Sequence, residues 1–296
     1  MKKAAVIINK NSGKKKKPPI EYRVLDALNS QGYKVDIHYT DGADAKEIAM
    51  AVSDVDLIVS AGGDGTIGEI IDGMVESGSD APLSILPAGT VNDYTRALGL
   101  PLDMDTAINN LRSPQKTIEA DVIKGNDRHI AYLIALGDFM ESFTRVGSTA
   151  KNRFSIFAYL YAGLRALVTM KAYRVKIETE SEKVMSDSIL TIVANTSSVG
   201  SFEKLLPHAS IDDRHLHILN ITPSHPKAII EIIIAAFRGT IAEHKNVHYM
   251  KAETLHLDTD RLETMDIDGD PHEFEAMDIR LLQGCLRVNV PEAYAE

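Results

Sequence analysis

The strongest constraint on the fold is a glycine-rich stretch that directly follows a short apolar run, Leu57–Glu69. Its first four residues have the composition of a buried strand, and a helical pattern begins near Ile67. Between them lies Gly62-Gly-Asp-Gly-Thr66, in which glycines remove side chains where the backbone turns sharply. The N-terminus of the following helix offers unpaired N–H groups to an anion. The stretch therefore predicts a phosphate-binding strand–turn–helix unit, with Asp64 placed to act through a divalent cation.

Taken alone, this stretch is also compatible with a tight strand-to-helix connection that binds nothing. It matches neither the G-x-G-x-x-G fingerprint of dinucleotide-binding folds nor the G-x-x-x-x-G-K-[ST] loop of nucleotide triphosphatases. Two further polar loops favour a ligand: Asn9–Gly13 follows the first predicted strand, and Leu86–Tyr94 contains the end of the fourth. In an open α/β sheet such strand ends converge on one crevice, so the three loops predict a shared binding edge.

The chain divides into two regions with different patterns. Over the first 120 residues or so, short apolar strands alternate with helical segments, which predicts βα units and an open parallel sheet. Beyond that point strands follow one another with short polar turns, which predicts a mainly antiparallel β-sandwich or barrel interrupted by two helices, near 155–171 and 227–244. We therefore predict an α/β domain over residues 1–122 and a β-sandwich domain over residues 123–282.

Composition narrows the class of partner and the compartment. The net charge of −10 argues against nucleic acid as the main partner. The single cysteine, Cys285, excludes an internal disulfide framework and fits a reducing compartment. The N-terminal apolar segment is too short for a signal peptide and no small-residue cleavage site follows it, so we expect a cytoplasmic protein.

Two segments are candidates for contact with a membrane. The lysine run Lys14–Lys17 is compatible either with a solvated loop or with attraction to nucleotide phosphates and to an anionic membrane surface. The apolar stretch Phe154–Met170 falls short of the roughly 20 apolar residues that a membrane span needs and contains Arg165. It predicts a buried helix, with a wall or lid of a lipid site as the alternative.

Four elements together resemble the bacterial diacylglycerol kinase family, which is itself similar to the sphingosine and ceramide kinases. They are Asn9-x-x-Ser-Gly13, Gly62-Gly-Asp-Gly-Thr66 with Glu69, Pro87-x-Gly-Thr-x-Asn-Asp93 and Ile267-Asp-Gly-Asp270. Gly-Gly-Asp-Gly alone is shared with NAD kinases and phosphofructokinases, whereas the last two elements favour the lipid-kinase branch. The resemblance implies an α/β nucleotide-binding domain of the NAD kinase/diacylglycerol kinase type, completed by the C-terminal segment of about 283–296.

The activity that this resemblance implies is ATP- and Mg²⁺-dependent phosphorylation of the hydroxyl of diacylglycerol, or a related lipid, at the inner face of a membrane. Asp64 and Asp93 would belong to a network of aspartates, water and Mg²⁺ at the phosphate site. The nucleotide-binding positions implied by the resemblance are Asn9, Ser12, Gly13, Thr40, Gly62, Gly63, Asp64, Gly65, Thr66, Glu69 and Thr90.

The late element Asp268-Gly269-Asp270 has two interpretations. By local sequence it is a hairpin turn, because Asp-Gly is among the commonest turn pairs. The resemblance implies instead a catalytic element, in which one carboxylate accepts the proton of the lipid hydroxyl. Asp270 stands where the family has glutamate, which leaves open whether Asp268 or Asp270 is the base.

A structural Mg²⁺ is also implied by the resemblance, with Asp213 and the main-chain oxygens of Ser210 and His215 as ligands. Two departures from the family pattern weaken this implication. Arg214 replaces a glycine, and Gly200–Phe202 is a poor match to a glycine-rich turn.

Two other functions remain open at the level of sequence. One is an NAD kinase-like enzyme, and the other is a nucleotide-binding regulator that has lost catalysis. The lipid acceptor and the oligomeric state, with a homodimer among the alternatives, are likewise left open.

Overall fold

The computed structural model describes residues 2–12, 19–41, 43–113, 115–137, 171–199, 205–206, 208–262 and 264–292. The predictions made for Gly13, Lys14–Lys17, Phe154–Met170 and Gly200–Phe202 lie outside the described residues. The chain separates into two compact units. The first consists of Met1–Tyr132, Ser210–Arg214 and Leu282–Glu296, and the second of Leu133–Ala209 and His215–Leu281.

A parallel sheet flanked by helices forms the first unit. Its strands are β1 (Lys2–Asn9), β2 (Tyr33–Thr40), β3 (Leu57–Gly62) and β4 (Leu83–Pro87), paired in the order β2-β1-β3-β4. Its helices are α1 (Ile20–Ser30), α2 (Ala45–Ala51), α3 (Asp64–Ser77), α4 (Asp93–Ala97) and α5 (Met104–Asn110). This α/β arrangement confirms the fold class predicted for the N-terminal half.

Three later strands extend this unit: β5 (Gln115–Gly125), β6 (Arg128–Ile130) and the last part of β16 (Met277–Pro291). β16 runs parallel to β4 through the pair Val288–Leu83, and β5 pairs with both β16 and β6. Because these pairings join β5 and β6 to the first sheet, the first unit continues past residue 122 to Tyr132.

The central strand β3 shows why the sequence there is a continuous apolar run. All six of its residues are buried, since the strand has neighbours on both sides and helices pack on its sheet. The same reasoning applies to β4, whose five residues are also buried. In contrast, the edge strand β2 alternates between exposed and partly buried residues.

Two antiparallel sheets form the second unit. One has the order β12-β11-β10-β7-β14-β15, and the other joins the first part of β16 to β13, β8 and β9. The strands are β7 (Leu133–Leu136), β8 (Tyr173–Thr179), β9 (Lys183–Ser188), β10 (Leu190–Ala194), β11 (Leu216–Ile221), β12 (Val247–Ala252), β13 (Thr254–Thr259), β14 (Thr264–Ile267) and β15 (Asp270–Glu273). The antiparallel prediction for the C-terminal half is confirmed.

Helix α6 (Pro226–Arg238) is shorter than the helix predicted over 227–244. It begins with a proline at its first position, where the missing N–H would have no partner in any case. It ends at Gly239, whose φ of 69° places it in the left-handed region that closes many helices. The remaining residues form a separate 3₁₀ turn, Ile241–Glu243.

At the end of the chain, the sequence predicts two strands, Met277–Leu282 and Cys285–Val290, separated by Gln283-Gly284. The structure has one strand, β16, in which Gly284 adopts a φ of 60° without ending the strand. A glycine inside a strand often marks a local distortion rather than a turn, and here its N–H has a specific acceptor, Asp121. Among the described residues, no helix is long and apolar enough to cross a membrane.

A close approach between α2 and α3 depends on Gly73. A Cβ atom at this position would overlap the carbonyl oxygen of Lys46 and lie 3.0 Å from the Cβ of Ala49. Because Gly73 has no side chain, the backbone of α3 can lie directly against Lys46 and Ala49 of α2.

We predict that Gly73→Ala destabilises the protein by about 1–3 kcal/mol, because the added methyl group overpacks this contact. The sign of this change in stability is informative, because alanine in a helix interior is otherwise more stable than glycine by about 0.5–1 kcal/mol. Urea unfolding gives the free energy directly. A variant as stable as the wild type, or more stable, would show that the helices separate at no cost.

Candidate functional site

The polar edge predicted at the ends of β3 and β4 is built around two glycines whose backbones nearly touch. A Cβ atom added to Gly89 would lie 2.5 Å from the Cα of Gly63, and one added to Gly63 would lie 3.1 Å from the Cα of Gly89. The strand ends are paired here, because Gly62 lies opposite Pro87 and accepts a 2.9 Å hydrogen bond from the N–H of Ala88. Any side chain at these two glycines would force the two loops apart.

Asn92 closes the second loop. Its Oδ1 accepts a hydrogen bond from the N–H of Gly89 at 3.0 Å, and its Nδ2 donates to the carbonyl oxygen of Gly89 at 3.1 Å. With a φ of 56° it occupies the left-handed region, which asparagine tolerates better than most residues, and it precedes the first residue of α4. Thr90, between these two residues, is exposed.

Two carboxylates lie at the start of the two helices that follow these loops. Asp64 is the first residue of α3, and its Oδ1 accepts a hydrogen bond from the N–H of Tyr94 in α4 at 3.1 Å. Burial raises the pKa of Asp64, and the charge of Asp93 raises it further, while the N–H groups of α4 act in the opposite direction. Asp93 is itself buried. Paired hard oxygen ligands of this kind fit a divalent cation such as Mg²⁺.

The first strand brings two more predicted positions to this edge. Asn9 donates from Nδ2 to the Oγ1 of Thr66 at 2.8 Å and accepts at its own carbonyl oxygen from the N–H of Ser12 at 3.2 Å. Asn9 is also the register partner of Thr40 on β2. Thr66 can occupy this place only because Gly62 has no side chain, since a Cβ there would lie 2.5 Å from that of Thr66.

Glu69 and Thr40 make contacts within the protein that the sequence did not predict. Glu69 accepts through Oε2 the N–H of Ala45, the first residue of α2, at 3.0 Å. Thr40 donates from Oγ1 to the carboxylate of Asp44, the residue that precedes α2. Both side chains therefore fix the start of α2 beside the polar edge, which is a positioning role that spacing alone does not reveal.

The late acidic element is a two-residue hairpin between β14 and β15. Ile267 pairs with Asp270, and Asp268 and Gly269 have φ values of 53° and 93°, the combination expected for a type I′ turn. Asp268 is buried and accepts through Oδ1 the N–H of Leu133 at 3.1 Å, whereas Asp270 is exposed. The hairpin predicted from local sequence is therefore present, and it distinguishes the two candidate bases by their surroundings.

Within the first unit, the segment predicted to hold a structural metal ion is joined to β5 by Asp121, a residue that the sequence did not single out. Asp121 accepts the N–H of Gly284 at 2.7 Å and that of Arg214 at 2.9 Å. Burial raises the pKa of this carboxylate, while the two N–H donors lower it. Arg214 has a φ of 64°, in the left-handed region that glycine adopts at less cost. The arginine therefore retains the backbone conformation expected of the glycine that the family has at this position.

Ser210 and Asp213 lie within one turn of this segment. Asp213 donates its N–H to the carbonyl oxygen of Ser210 at 3.1 Å, and its carboxylate accepts the N–H of Ser210 at 3.3 Å. The carbonyl and carboxylate oxygens are of the type that Mg²⁺ prefers. His215, the third predicted ligand, belongs to the second compact unit.

A charged cluster on the first unit was also missed by sequence reasoning. Asp72 contacts His129 Nδ1 at 2.8 Å and Lys46 Nζ at 2.9 Å, and Lys46 contacts Glu76 at 2.6 Å. One potential ligand atom from each of Asp72, Glu76 and His129 lies within 4.8 Å of the others, which is close enough to hold a metal ion. Because the ammonium group of Lys46 bridges both carboxylates, we interpret the cluster as an ion-pair network between α2, α3 and β6.

The geometry of the first unit defines a class of protein: an α/β fold with polar, glycine-rich loops at the carboxyl ends of parallel strands, followed by an antiparallel β region. Two family models match the chain. One describes a diacylglycerol kinase catalytic domain and covers residues 3–124, and the other describes a YegS C-terminal NAD kinase beta sandwich-like domain and covers residues 142–290.

Comparison with individual proteins agrees with the two family models. The diacylglycerol kinase of Staphylococcus saprophyticus is 32% identical over 272 residues, which span 91% of this chain and 89% of that protein. The diacylglycerol kinase of Bacillus subtilis is 30% identical over 278 residues, spanning 91% and 90%. A crystal structure of a diacylglycerol kinase from Bacillus anthracis shares the fold, with a TM-score of 0.78 over 99% of both chains at 23% identity. The chain therefore belongs to the bacterial diacylglycerol kinase family, as its four motifs predicted.

We predict that Asp121→Asn destabilises the protein by about 1–3 kcal/mol, because the amide oxygen can accept only one of the two partly buried N–H groups and leaves the other without its acceptor. Chemical unfolding of this variant is compared with that of Asp127→Asn, a change at an exposed position of the neighbouring turn. Equal stabilities of the two variants would contradict the anchoring role of Asp121.

Proposed function

We propose that the protein is a kinase that transfers the γ-phosphoryl group of ATP, with Mg²⁺, to the hydroxyl group of diacylglycerol or a related lipid, giving phosphatidic acid and ADP. The observation that carries this proposal is the near contact of Gly63 and Gly89 in a chain of the diacylglycerol kinase family. It opens the backbone of two loops to a polyphosphate at the start of α3, where unpaired N–H groups and the helix dipole favour an anion.

The two compact units are proposed to be the two functional domains. The unit containing Asn9, Thr40 and Gly62–Glu69 would bind the nucleotide, and the unit containing Asp268 and Asp270 would supply the acceptor side. The closing segment Leu282–Glu296, which belongs to the first unit, completes the nucleotide-binding domain. Ser12, Gly13 and Thr90 complete the proposed nucleotide-binding set.

Phosphoryl transfer requires positioning and charge stabilisation more than covalent chemistry. The lipid oxygen attacks the γ-phosphorus, the bond from that phosphorus to the β–γ bridging oxygen breaks, and ADP leaves. Mg²⁺ bound near Asp64 and Asp93 would supply charge neutralisation. The protein's own contribution is the N-terminus of α3, the Asn9–Thr66 hydrogen bond that fixes the first loop, and the exclusion of side chains at the two glycines.

For the base that accepts the proton of the lipid hydroxyl we propose Asp268 rather than Asp270. Asp268 is buried and held by main-chain contacts to Leu133 in both directions: its N–H donates to the carbonyl oxygen at 3.0 Å, and its Oδ1 accepts the N–H at 3.1 Å. A general base must be held in a fixed orientation toward its proton, and the exposed Asp270 lacks such surroundings.

The test is transfer of label from [γ-³²P]ATP, with Mg²⁺, to diacylglycerol, phosphatidylglycerol, a sphingoid base, undecaprenol and NAD, with the lipids in mixed micelles. We expect label on diacylglycerol, reduced by roughly 10²–10⁴-fold in Asp268→Asn because the general base is lost. Asp270→Asn should cost less, and the exposed Glu273→Gln, on the same hairpin, serves as the matched control.

Each alternative outcome points to a different function. Label on NAD would replace the lipid-kinase proposal with an NAD kinase-like enzyme, and label on another lipid would change the acceptor alone. Measurable ATP binding without transfer to any acceptor would indicate a nucleotide-binding regulator. A larger loss in Asp270→Asn than in Asp268→Asn would reassign the base.

We further propose that the protein is cytoplasmic and contacts the inner face of the membrane peripherally, without nucleic acid as a partner, and that a homodimer is one candidate assembly. Two features support lipid contact. The run Lys14–Lys17 is basic, and helix α6 exposes Ile230, Ile234 and Phe237 at helical spacing on one face. Lys227 and Arg238 lie at the two ends of that face, a distribution typical of helices at an anionic lipid interface.

We predict that the protein sediments with vesicles of phosphatidylglycerol and phosphatidylcholine, and less with phosphatidylcholine alone. Changing Lys14–Lys17 to glutamine should weaken binding steeply, because each lysine near an anionic surface contributes roughly 1 kcal/mol. Ile230→Ser/Ile234→Ser should weaken binding to both vesicle types, and Lys183→Gln/Lys251→Gln is the control at exposed lysines elsewhere. Unchanged vesicle binding in both test variants would contradict the proposed role of the lysine run and of α6 in membrane contact.

A further inference from the structure

The β14–β15 hairpin contains a second buried carboxylate, Asp266, to which neither the motif nor the proposed mechanism assigns a role. Asp266 is only 7% exposed, although it lies two residues before the proposed base. Its Oδ1 accepts the N–H of Gly269, the second residue of the turn, at 2.9 Å. One side chain of the strand therefore holds the main chain of the turn that carries Asp268.

The turn needs such support because both of its residues have positive φ values, and Asp268 is not glycine. Its position is set by three hydrogen bonds. Two join Asp268 to Leu133 at the start of β7, and the third is that between Asp266 and Gly269. The first two fix one side of the turn, and the third fixes the other.

A neutral asparagine could accept the same hydrogen bond, so the presence of a carboxylate requires a separate explanation. Burial raises the pKa of Asp266 to about 6, and the charge of Asp270 contributes to this shift. Because the pKa in the folded protein lies above its ordinary value of 3.8, the stability that Asp266 contributes is present below about pH 4 and is lost as the pH rises through 6. The charge thus opposes folding at neutral pH, which indicates that it serves another purpose.

That purpose follows from the hydrogen bond itself, since a charged acceptor binds an N–H group more strongly than a neutral one. We propose that Asp266, in its ionised form, is a positioning residue that locks the Asp268-Gly269 turn and so holds the base Asp268 in its working orientation. This inference rests on the proposed function for the role of Asp268. The coupling between Asp266 and the turn rests on the contacts alone.

The strands paired with β14 determine which titratable groups lie near Asp266. On β7 its register partner is Ala135, within a strand of four apolar residues. On β15 its partner is Pro271, and the titratable residues of that strand are Asp270, His272 and Glu273. Among the described residues, Asp270 is the one whose charge acts on Asp266.

The first measurement is independent of catalysis. In the isotope-labelled full-length protein, the amide resonance of Gly269 should shift with a midpoint near pH 6, because its acceptor gains a proton there. The shift should be absent in Asp266→Asn and present in Glu273→Gln. In addition, Asp266→Asn should raise the Tm above that of the wild type at pH 7.5 but not at pH 4.

The second measurement is catalytic. We expect Asp266→Ala to lower kcat by about 10-fold or more with little change in the KM for ATP. Asp266→Asn should recover only part of that loss, because its neutral amide oxygen accepts the N–H of Gly269 more weakly than the carboxylate does. In the wild type, kcat should fall below about pH 6, and Asp266→Asn should move this acid limb to lower pH. A purely structural role would lower kcat equally at every pH and leave the limb in place.

The possible results test the role of Asp266 separately from the proposed kinase function. A Gly269 resonance that does not titrate near pH 6, or an acid limb unmoved in Asp266→Asn, would overturn the role of Asp266. If the wild type transfers phosphate to no acceptor while Gly269 still titrates, the proposed function fails and the coupling within the hairpin stands.

Discussion

The first compact unit of this protein depends on one steric constraint, the near contact between the backbones of Gly63 and Gly89. Each glycine lies in the connection that follows a parallel strand, and the strands are already neighbours through the pair Gly62–Pro87. Only when both positions lack side chains can the loops lie together, which brings the loop closed by Asn92 next to the start of α3. The positions of α3, α4 and the carboxylate of Asp64 follow from this contact.

Buried and partly buried carboxylates that accept main-chain N–H groups recur in both units. Asp64 accepts from α4, Asp121 from two separate segments, and Asp268 from the start of β7. In each case a side chain from one segment fixes the backbone of another that is distant in sequence. A carboxylate suits this task because its two oxygens accept several hydrogen bonds and bind each more strongly than a neutral group. Burial raises the pKa of both Asp64 and Asp121, so this anchoring is achieved at some cost in desolvation.

Local patterns were sufficient to predict much of the fold. The strands β1–β4 and their helices follow from apolar runs separated by glycine and polar loops, and the antiparallel half follows from closely spaced strands with short turns. The prediction was less successful where the local pattern is ambiguous. Strands β9 and β12 alternate between more exposed and more buried residues, so that no continuous apolar run marks them, and the glycine inside β16 was interpreted as a break between two strands. Half-buried strands resemble loops in composition, because only one face is apolar.

The sequence by itself determined the class of fold, the family and the polar loops in which the site residues lie, because these depend on short-range spacing and on glycine. Tertiary structure alone decided what each side chain contacts: that Glu69 holds the start of α2, that Asp121 joins the segment around Arg214 to Gly284, and that Asp268 accepts the N–H of Leu133. Such partners are brought together by strand register and helix packing over separations of up to 163 residues. Periodicity within one segment carries no information about contacts of this range.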